Sequence, residues 1–180
     1  GQHAKAIERY TQALAITREN EDRGDERRWL YNLGFAHANL GQYAKAVEHY
    51  TRALALAQEA GAREMAQEIL KSRGNALLNE GHALRRRADY QGALIKYKAA
   101  RAEAHKITDA RRAQEDEASA LNGVGNVHKA LAQFAKAIEH FKQSIAIFHE
   151  TGNRLEENGT MGNLATTYRA LGQYAKAVEH

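Results

Sequence analysis

The nine residues Gly41-Gln-Tyr-Ala-Lys-Ala-Val-Glu-His49 recur without change as residues 172–180. Diverged copies of the same stretch begin at Gly1 and at Gln133. Self-similarity at a period of tens of residues is typical of stacked supersecondary units, each of which buries its apolar face on the next. We therefore expect a stack that offers a long surface for binding and no natural pocket for chemistry.

One position of the repeat anchors the alignment of its copies. It is occupied by His3, Tyr43, Tyr90, Phe134 and Tyr174. From Tyr43, alanine follows after three residues, an aromatic residue after seven and a small residue after ten. Steps of three and four residues place these side chains on one face of a helix. A second helix lies upstream, with the pattern Leu30-x-x-Leu33-Gly34-x-x-His37.

The composition favours an all-α protein. The chain has no Pro and no Cys, and it is rich in Ala, Glu, Lys, Arg and Gln, which are strong helix formers. Without Cys it can form neither a disulfide nor a thiolate metal site. No apolar run approaches the length of a membrane span and no signal peptide opens the chain, so we expect no membrane partner and a cytoplasmic protein whose native termini are missing. The net charge is only +4, but residues 85–112 carry nine Lys or Arg against three acidic residues.

Together these residues resemble the tetratricopeptide repeat (TPR). That repeat has about 34 residues, whereas the spacing from His3 to Tyr43 is 40 residues. The longer period, with Asn32-Leu33-Gly34 in the first helix and Gly152-Asn153-Arg154 between units, resembles LGN/Pins and kinesin light chain arrays. The resemblance implies an α-solenoid, a right-handed superhelix of antiparallel helix pairs.

We predict one array over residues 1–180, a fragment of a longer one. Its parts are 1–24 (helix B of a partial repeat), 25–63 (a repeat), 64–110 (a repeat with an extended helix A), 111–153 (a repeat) and 154–180 (a truncated repeat). The predicted helices are about 2–20, 25–40, 42–60, 64–87, 89–107, 111–131, 133–150, 154–171 and 173–180. Tyr43 to Tyr90 is 47 residues and Tyr90 to Phe134 is 44. These excesses are close to two turns and one turn of helix, so we predict longer helices there, not longer loops.

In TPR proteins, helix A of each unit lines a concave groove that binds peptides. Carried over by position, the groove residues are Arg28, Tyr31, Asn32, Phe35, Asn39, Asn75, Asn79, His82, Arg85, Arg86, Asn122, Asn126, Lys129, Asn163, Thr166 and Arg169. Asn amides suit the backbone of an extended peptide, and a row of Arg and Lys suits carboxylates. We therefore predict a protein-interaction scaffold for an extended or helical acidic segment. The alternative for the basic row is that these residues only complement helix dipoles.

Glycines in two predicted A helices need a separate explanation, because Gly is a poor helix former. Gly125 is expected to allow close helix packing, whereas Gly159 and Gly162 point toward the groove. The nine His residues follow the repeat, which favours structural roles, so we expect no metal site and no cofactor. Asn158-Gly-Thr160 matches a glycosylation sequon, but it falls in a predicted inner helix and is treated as chance.

Other functions are less favoured. The basic centre could contact nucleic acid, but Tyr90 and Tyr97 are assigned to core packing, so stacking on bases is not expected. No nucleophile–base pair or phosphate loop suggests an enzyme. Two alternatives remain: end-to-end self-association through incomplete terminal repeats, and a regulatory arm of a larger enzyme or transcription regulator.

Overall fold

A computed structural model describes residues 2–173 and residue 177 of the chain. This part of the protein is all-α, as predicted, with no strand. Its eight helices are α1 (Gln2–Glu19), α2 (Arg23–Asn39), α3 (Tyr43–Glu59), α4 (Arg63–Arg86), α5 (Tyr90–Ala104), α6 (Ala110–Ala130), α7 (Phe134–Thr151) and α8 (Arg154–Ala170).

The chain divides into two compact units. Unit 1 is Gly1–Asn79 and unit 2 is Glu80–His180, with the boundary inside α4. In unit 1, α1 packs on α2 and α2 on α3; in unit 2, α5 packs on α6, α6 on α7, and α7 on α8. Connections of two to five residues join consecutive helices, which makes neighbours antiparallel. The finer division into repeats remains a prediction.

The core of unit 1 is built from the repeat's small and aromatic positions. Ala46, Tyr50 and Ala53 of α3 are buried, as are Leu30 and Leu33 of α2. The Tyr50 ring lies on the backbone of α2 at Gly34, where a Cβ atom would come within 2.7 Å of ring carbons. A residue without a side chain is therefore required at this crossing.

The same contact between a glycine and an aromatic ring occurs at three helix pairs of unit 2. A Cβ atom on Gly125 would lie 2.6 Å from the Phe141 ring, which confirms that Gly125 serves close packing. Tyr97, which is fully buried, contacts both Gly81 and Gly123; a Cβ atom would lie 2.7 Å from its ring at the first and 2.5 Å at the second. The space for one aromatic ring is thus set by glycines on the two helices that flank it.

The helix bounds follow the predictions within three residues. α4 has 24 residues and α6 has 21, compared with 17 in α2 and α8, so the extra residues do extend helices. Side chains of Asp22, Asp89, Asp109 and Asn153 accept hydrogen bonds from the first turns of α2, α5, α6 and α8. The Asn122-Gly123 and Asn158-Gly159 pairs lie inside helices, as expected. The predicted helix 173–180 lies outside the described residues except at its first position and at Ala177.

The turns that follow α2, α4, α6 and α8, the A helices of the repeat, each contain a residue in the left-handed backbone conformation. Gly41 and Gly172 supply it with φ of 71° and 77°. At the corresponding positions Ala88 and Ala132 adopt φ of 60° and 56°. Such values cost energy for a residue with a Cβ atom, so these two turns carry local backbone strain.

Candidate functional site

In unit 1, four of the predicted groove residues line a common cavity: Phe35 and Asn39 of α2, and Asn75 and Asn79 of α4. Its volume is about 430 Å³. The lining residues are Phe35, Ala38, Asn39, Tyr43, Tyr50, Ser72, Asn75, Ala76 and Asn79. The lining is largely polar, and the ring of Phe35 is 56% exposed beside it. The arrangement can accept a polar segment next to one exposed aromatic ring.

The polar side chains at the predicted groove positions of unit 1 differ in whether they already form hydrogen bonds. Tyr31 and Asn32 do not line the cavity. The Tyr31 hydroxyl is 3.4 Å from Ser72 Oγ, and Asn39 donates to the Phe35 carbonyl. Asn32 and Asn79 make no side-chain hydrogen bond within the described part of the chain. These two amides are therefore available to a ligand.

Arg28 differs from the other predicted groove residues of unit 1. Its guanidinium is 3.1 Å from the Asp25 carboxylate and lies 4.8 Å from the centroid of the Trp29 ring. Both partners are on its own helix, so the charge of Arg28 is already compensated.

In unit 2, the predicted residues of α6 and α8 form one hydrogen-bonded surface, which we call the unit-2 polar face: Asn122, Asn126, Lys129, Asn163, Thr166 and Arg169. Asn122 Oδ1 accepts hydrogen bonds from Asn126 Nδ2 at 3.2 Å and from Asn163 Nδ2 at 3.1 Å. The Asn residues thus bind one another across the two helices. Their first role in this structure is to fix the register of α6 against α8, which sequence position alone does not reveal.

Lys129 is the electrostatic centre of the unit-2 polar face. Its Nζ donates to Thr166 Oγ1 at 2.6 Å. Burial lowers the pKa of Lys129, and the positive charges of Arg169 and Arg85 lower it further. The described residues place no carboxylate in an ion pair with these three cations. Positive charge is therefore concentrated here without compensation.

Basic residues elsewhere in the 85–112 segment behave differently. Five of them form ion pairs: Lys96 with Glu80, Arg101 with Glu117, Lys106 with Glu103, Arg111 with Glu115, and Arg112 with Asp116. The charge excess predicted from composition is therefore largely neutralised away from the unit-2 polar face. This weakens the nucleic-acid alternative, which needs uncompensated cations along a surface.

His82 and Arg85 are tied to the buried Tyr97. His82 Nδ1 is 2.8 Å from the Tyr97 hydroxyl. Burial lowers the pKa of His82, as do the charges of Arg85 and Arg86. Burial raises the pKa of Tyr97, while Arg85 and Arg86 oppose that rise. His82 is thus a packing residue whose neutral form is favoured.

Two pairs of histidines were missed by sequence reasoning, which compared equivalent positions in different units and not positions within a unit. His37 stacks on His49 with ring centroids 5.1 Å apart, and His128 stacks on His140 at 5.3 Å. His37 and His128 each place Nδ1 2.7 Å from a following glutamine, Gln42 and Gln133. The shared spacing of twelve residues between His partners was the available signal.

Residues 2–173 and 177 offer neither a metal site nor a helix that could span a membrane. These residues contain no cluster of three or more His, Asp or Glu side chains that could hold a metal ion. None of their helices is both long and apolar enough to cross a bilayer.

The sequence profile of the tetratricopeptide repeat family matches residues 1–59 and 116–180. These segments are more than half of the chain, which therefore belongs to the tetratricopeptide repeat family. Members of this family are typically scaffolds for protein–protein interaction. The profile leaves out 60–115, the segment with the longer spacing. No match was found among curated protein sequences.

Solved structures show the same fold. BtubC (BKLC) from P. vanneervenii is 20% identical over 99% of this chain and 70% of its own, with a TM-score of 0.64. The Podosopora anserina putative kinesin light chain repeats are 21% identical over 99% of this chain and 83% of theirs, with a TM-score of 0.55. A Rap protein complexed with competence and sporulation factor is 21% identical, with a TM-score of 0.52; the alignment covers 99% of this chain but only 47% of the Rap protein.

Proposed function

We propose that this TPR array binds an acidic segment of a partner protein, with Lys129, Arg85 and Arg169 as the cationic centre of the site. The proposal is based on the charges around Lys129. The two charged residues that act on it, Arg169 and Arg85, are both positive, and no described carboxylate forms an ion pair with any of the three. A protein that gathers like charges at a partly buried point destabilises itself, unless an anion binds there. A carboxylate of a partner is the simplest such anion in a scaffold.

The Asn residues have a smaller part in this proposal than sequence position suggested. Asn122, Asn126 and Asn163 are already hydrogen-bonded to one another, so they shape the face and a ligand meets only their remaining donors and acceptors. In unit 1, Asn32 and Asn79 keep their full hydrogen-bonding capacity for a ligand. The structure of a Rap protein complexed with competence and sporulation factor supports a binding role for this fold.

Reversal of charge tests the proposal. The binding variant carries Arg169→Glu, and the control carries Lys136→Glu; both residues are exposed. Both variants have the same net charge, so a difference between them reports position. Binding is measured as fluorescence anisotropy of a short labelled peptide rich in Glu, at low and high salt, beside circular dichroism of each variant.

We expect the binding variant to lose affinity by about tenfold or more, because charge-assisted pairs contribute most of such an interaction. The control should retain the wild-type affinity apart from a small long-range effect. Equal affinity of the two variants would refute the proposed cationic centre. End-to-end self-association and a role as a regulatory arm remain predictions that this experiment does not address.

A further inference from the structure

An apolar cleft lies on unit 2 at a position where the other repeats are charged. It is formed by one face of α5 and by Leu131, which follows α6. The lining residues are Tyr90, Gln91, Leu94, Ile95, Lys98 and Leu131, and the volume is about 410 Å³. None of these residues belongs to the unit-2 polar face.

Ile95 is the unusual member of this cleft. The corresponding residues of the other copies are Glu8, Glu48 and Glu139, all of them exposed. Ile95 is 59% exposed, so the substitution of an acid by Ile does not fill the core. With Leu94 and Leu131, Ile95 forms one contiguous apolar surface in the cleft, and contiguous exposed apolar surface marks an interaction site.

The geometry of the cleft suggests a helical ligand. Gln91, Leu94, Ile95 and Lys98 are spaced by three, one and three residues, which puts them in one stripe about two turns long on α5. Leu131 is 41% exposed and bounds the stripe on one side. A short amphipathic helix that places apolar side chains at successive turns matches such a stripe.

The charge of Lys98 indicates which residue type the bound helix carries beside it. Lys98 is the charged residue of the lining, and the described residues give it no ion pair. An acidic side chain one turn beyond the apolar residues of a bound helix would face it. A basic residue there would be repelled.

We infer that this cleft, the α5 cleft, docks an amphipathic helical segment of a partner protein, with apolar side chains on Leu94, Ile95 and Leu131 and an Asp or Glu beside Lys98. The site is separate from the cationic centre of the proposed function and does not depend on it. One partner could bind both, or two partners could bind at once.

The test is a selection of random displayed peptides on the immobilised protein, with removal of every peptide that also binds the Ile95→Glu variant. That variant restores the residue found in the other repeats, so it should fold as the wild type does, which circular dichroism checks. Recovered peptides are synthesised with a fluorescent label, and their dissociation constants are measured by anisotropy.

We expect helical peptides with apolar residues three or four apart and an acid one turn away. Their affinity should fall about tenfold or more for Ile95→Glu, the scale expected for losing one buried apolar side chain. Lys98→Glu should also weaken them, and replacing the peptide's acid by Lys should restore binding to that variant. Affinity for the Arg169→Glu protein should not change.

Two results would overturn the inference. One is a selection that enriches no peptide discriminating wild type from Ile95→Glu. The other is a set of recovered peptides whose affinity falls with Arg169→Glu and not with Lys98→Glu, which would assign them to the unit-2 polar face.

Discussion

The imidazole rings of His37 and His49 stack with only 8° between their planes, although the residues come from the two facing helices of a pair. Burial lowers the pKa of His49, and His37, Arg52 and Arg18 lower it further, whereas Glu48 opposes the change. His49 Nδ1 is buried and has no hydrogen-bond partner among residues 2–173 and 177. The neutral form of His49 is therefore the one that packs in the folded protein.

Acidification should destabilise unit 1. A His whose folded pKa lies below its unfolded value of 6.5 binds more protons when unfolded. Its contribution is complete above pH 6.5 and declines as pH falls from there toward the lowered pKa. We expect the free energy of unfolding, measured by urea titration followed by Trp29 fluorescence, to fall in that window. His49→Gln should flatten the dependence; an unchanged profile would contradict this account.

The second pair should respond in the same way in unit 2. Burial lowers the pKa of His140, followed by the charges of His128 and Arg101, while Glu139 and a side-chain hydrogen bond with Gln143 raise it. The rings of His128 and His140 are 9° from parallel, so the packing is reproduced. Circular dichroism of the double variant His49→Gln, His140→Gln should show a smaller drop in thermal stability between pH 7.5 and 5.5 than His49→Gln alone.

The effect of replacing a helical glycine by alanine should depend on which atoms the added Cβ atom would contact. Gly125→Ala forces a methyl group against the Phe141 ring and should destabilise the protein by about 1–3 kcal/mol. Gly159 has no atom within 4 Å of that position, so Gly159→Ala should stabilise α8 by about 1 kcal/mol. Chemical denaturation measures both. If Gly159→Ala also weakens peptide binding, the open glycine serves the ligand; if both variants are equally destabilised, the packing argument fails.

The strained turn at Ala132 offers a reciprocal test. Ala132→Gly removes the cost of a positive φ of 56° and should stabilise the protein by about 0.5–1 kcal/mol. Gly41→Ala introduces that cost at φ 71° and should destabilise it by a similar amount. No atom lies within 4 Å of a Cβ atom added at Gly41, so a steric clash does not contribute to the stability change of Gly41→Ala. Thermal melts with shifts of the same sign would be inconsistent with strain at Ala132.

Lys129 should matter for binding more than for stability. Lys129→Met removes a charge that burial and two arginines disfavour, at the loss of one hydrogen bond to Thr166. We expect little change in the free energy of unfolding and a loss of about tenfold in affinity for an acidic peptide. Lys136→Met, at an exposed site, is the matched control. A stable variant that binds the peptide like the wild type would exclude Lys129 from the site.

Much of the fold was predictable because the repeat supplies several independent constraints. The lengthening of α4 and α6 followed from the spacing of Tyr43, Tyr90 and Phe134, since only whole turns keep helix faces in phase. The packing role of Gly125 followed from its place in the A-helix pattern. The site was less predictable: Arg28 occupies a predicted groove position, but its charge is paired with Asp25 on the same helix.

The linear sequence by itself determined the helix pairs, their lengths and which faces pack, because local propensity and repeat spacing act within a few turns of chain. Only the tertiary structure decided which polar groups remain available. Asn122 and Asn163 are 41 residues apart in sequence, yet their side chains form a hydrogen bond. Lys129 lies near the positive charges of Arg85 and Arg169, whereas Arg101 forms an ion pair with Glu117. Such pairings depend on the distances between side chains of different helices, and the repeat pattern in the sequence does not give these distances.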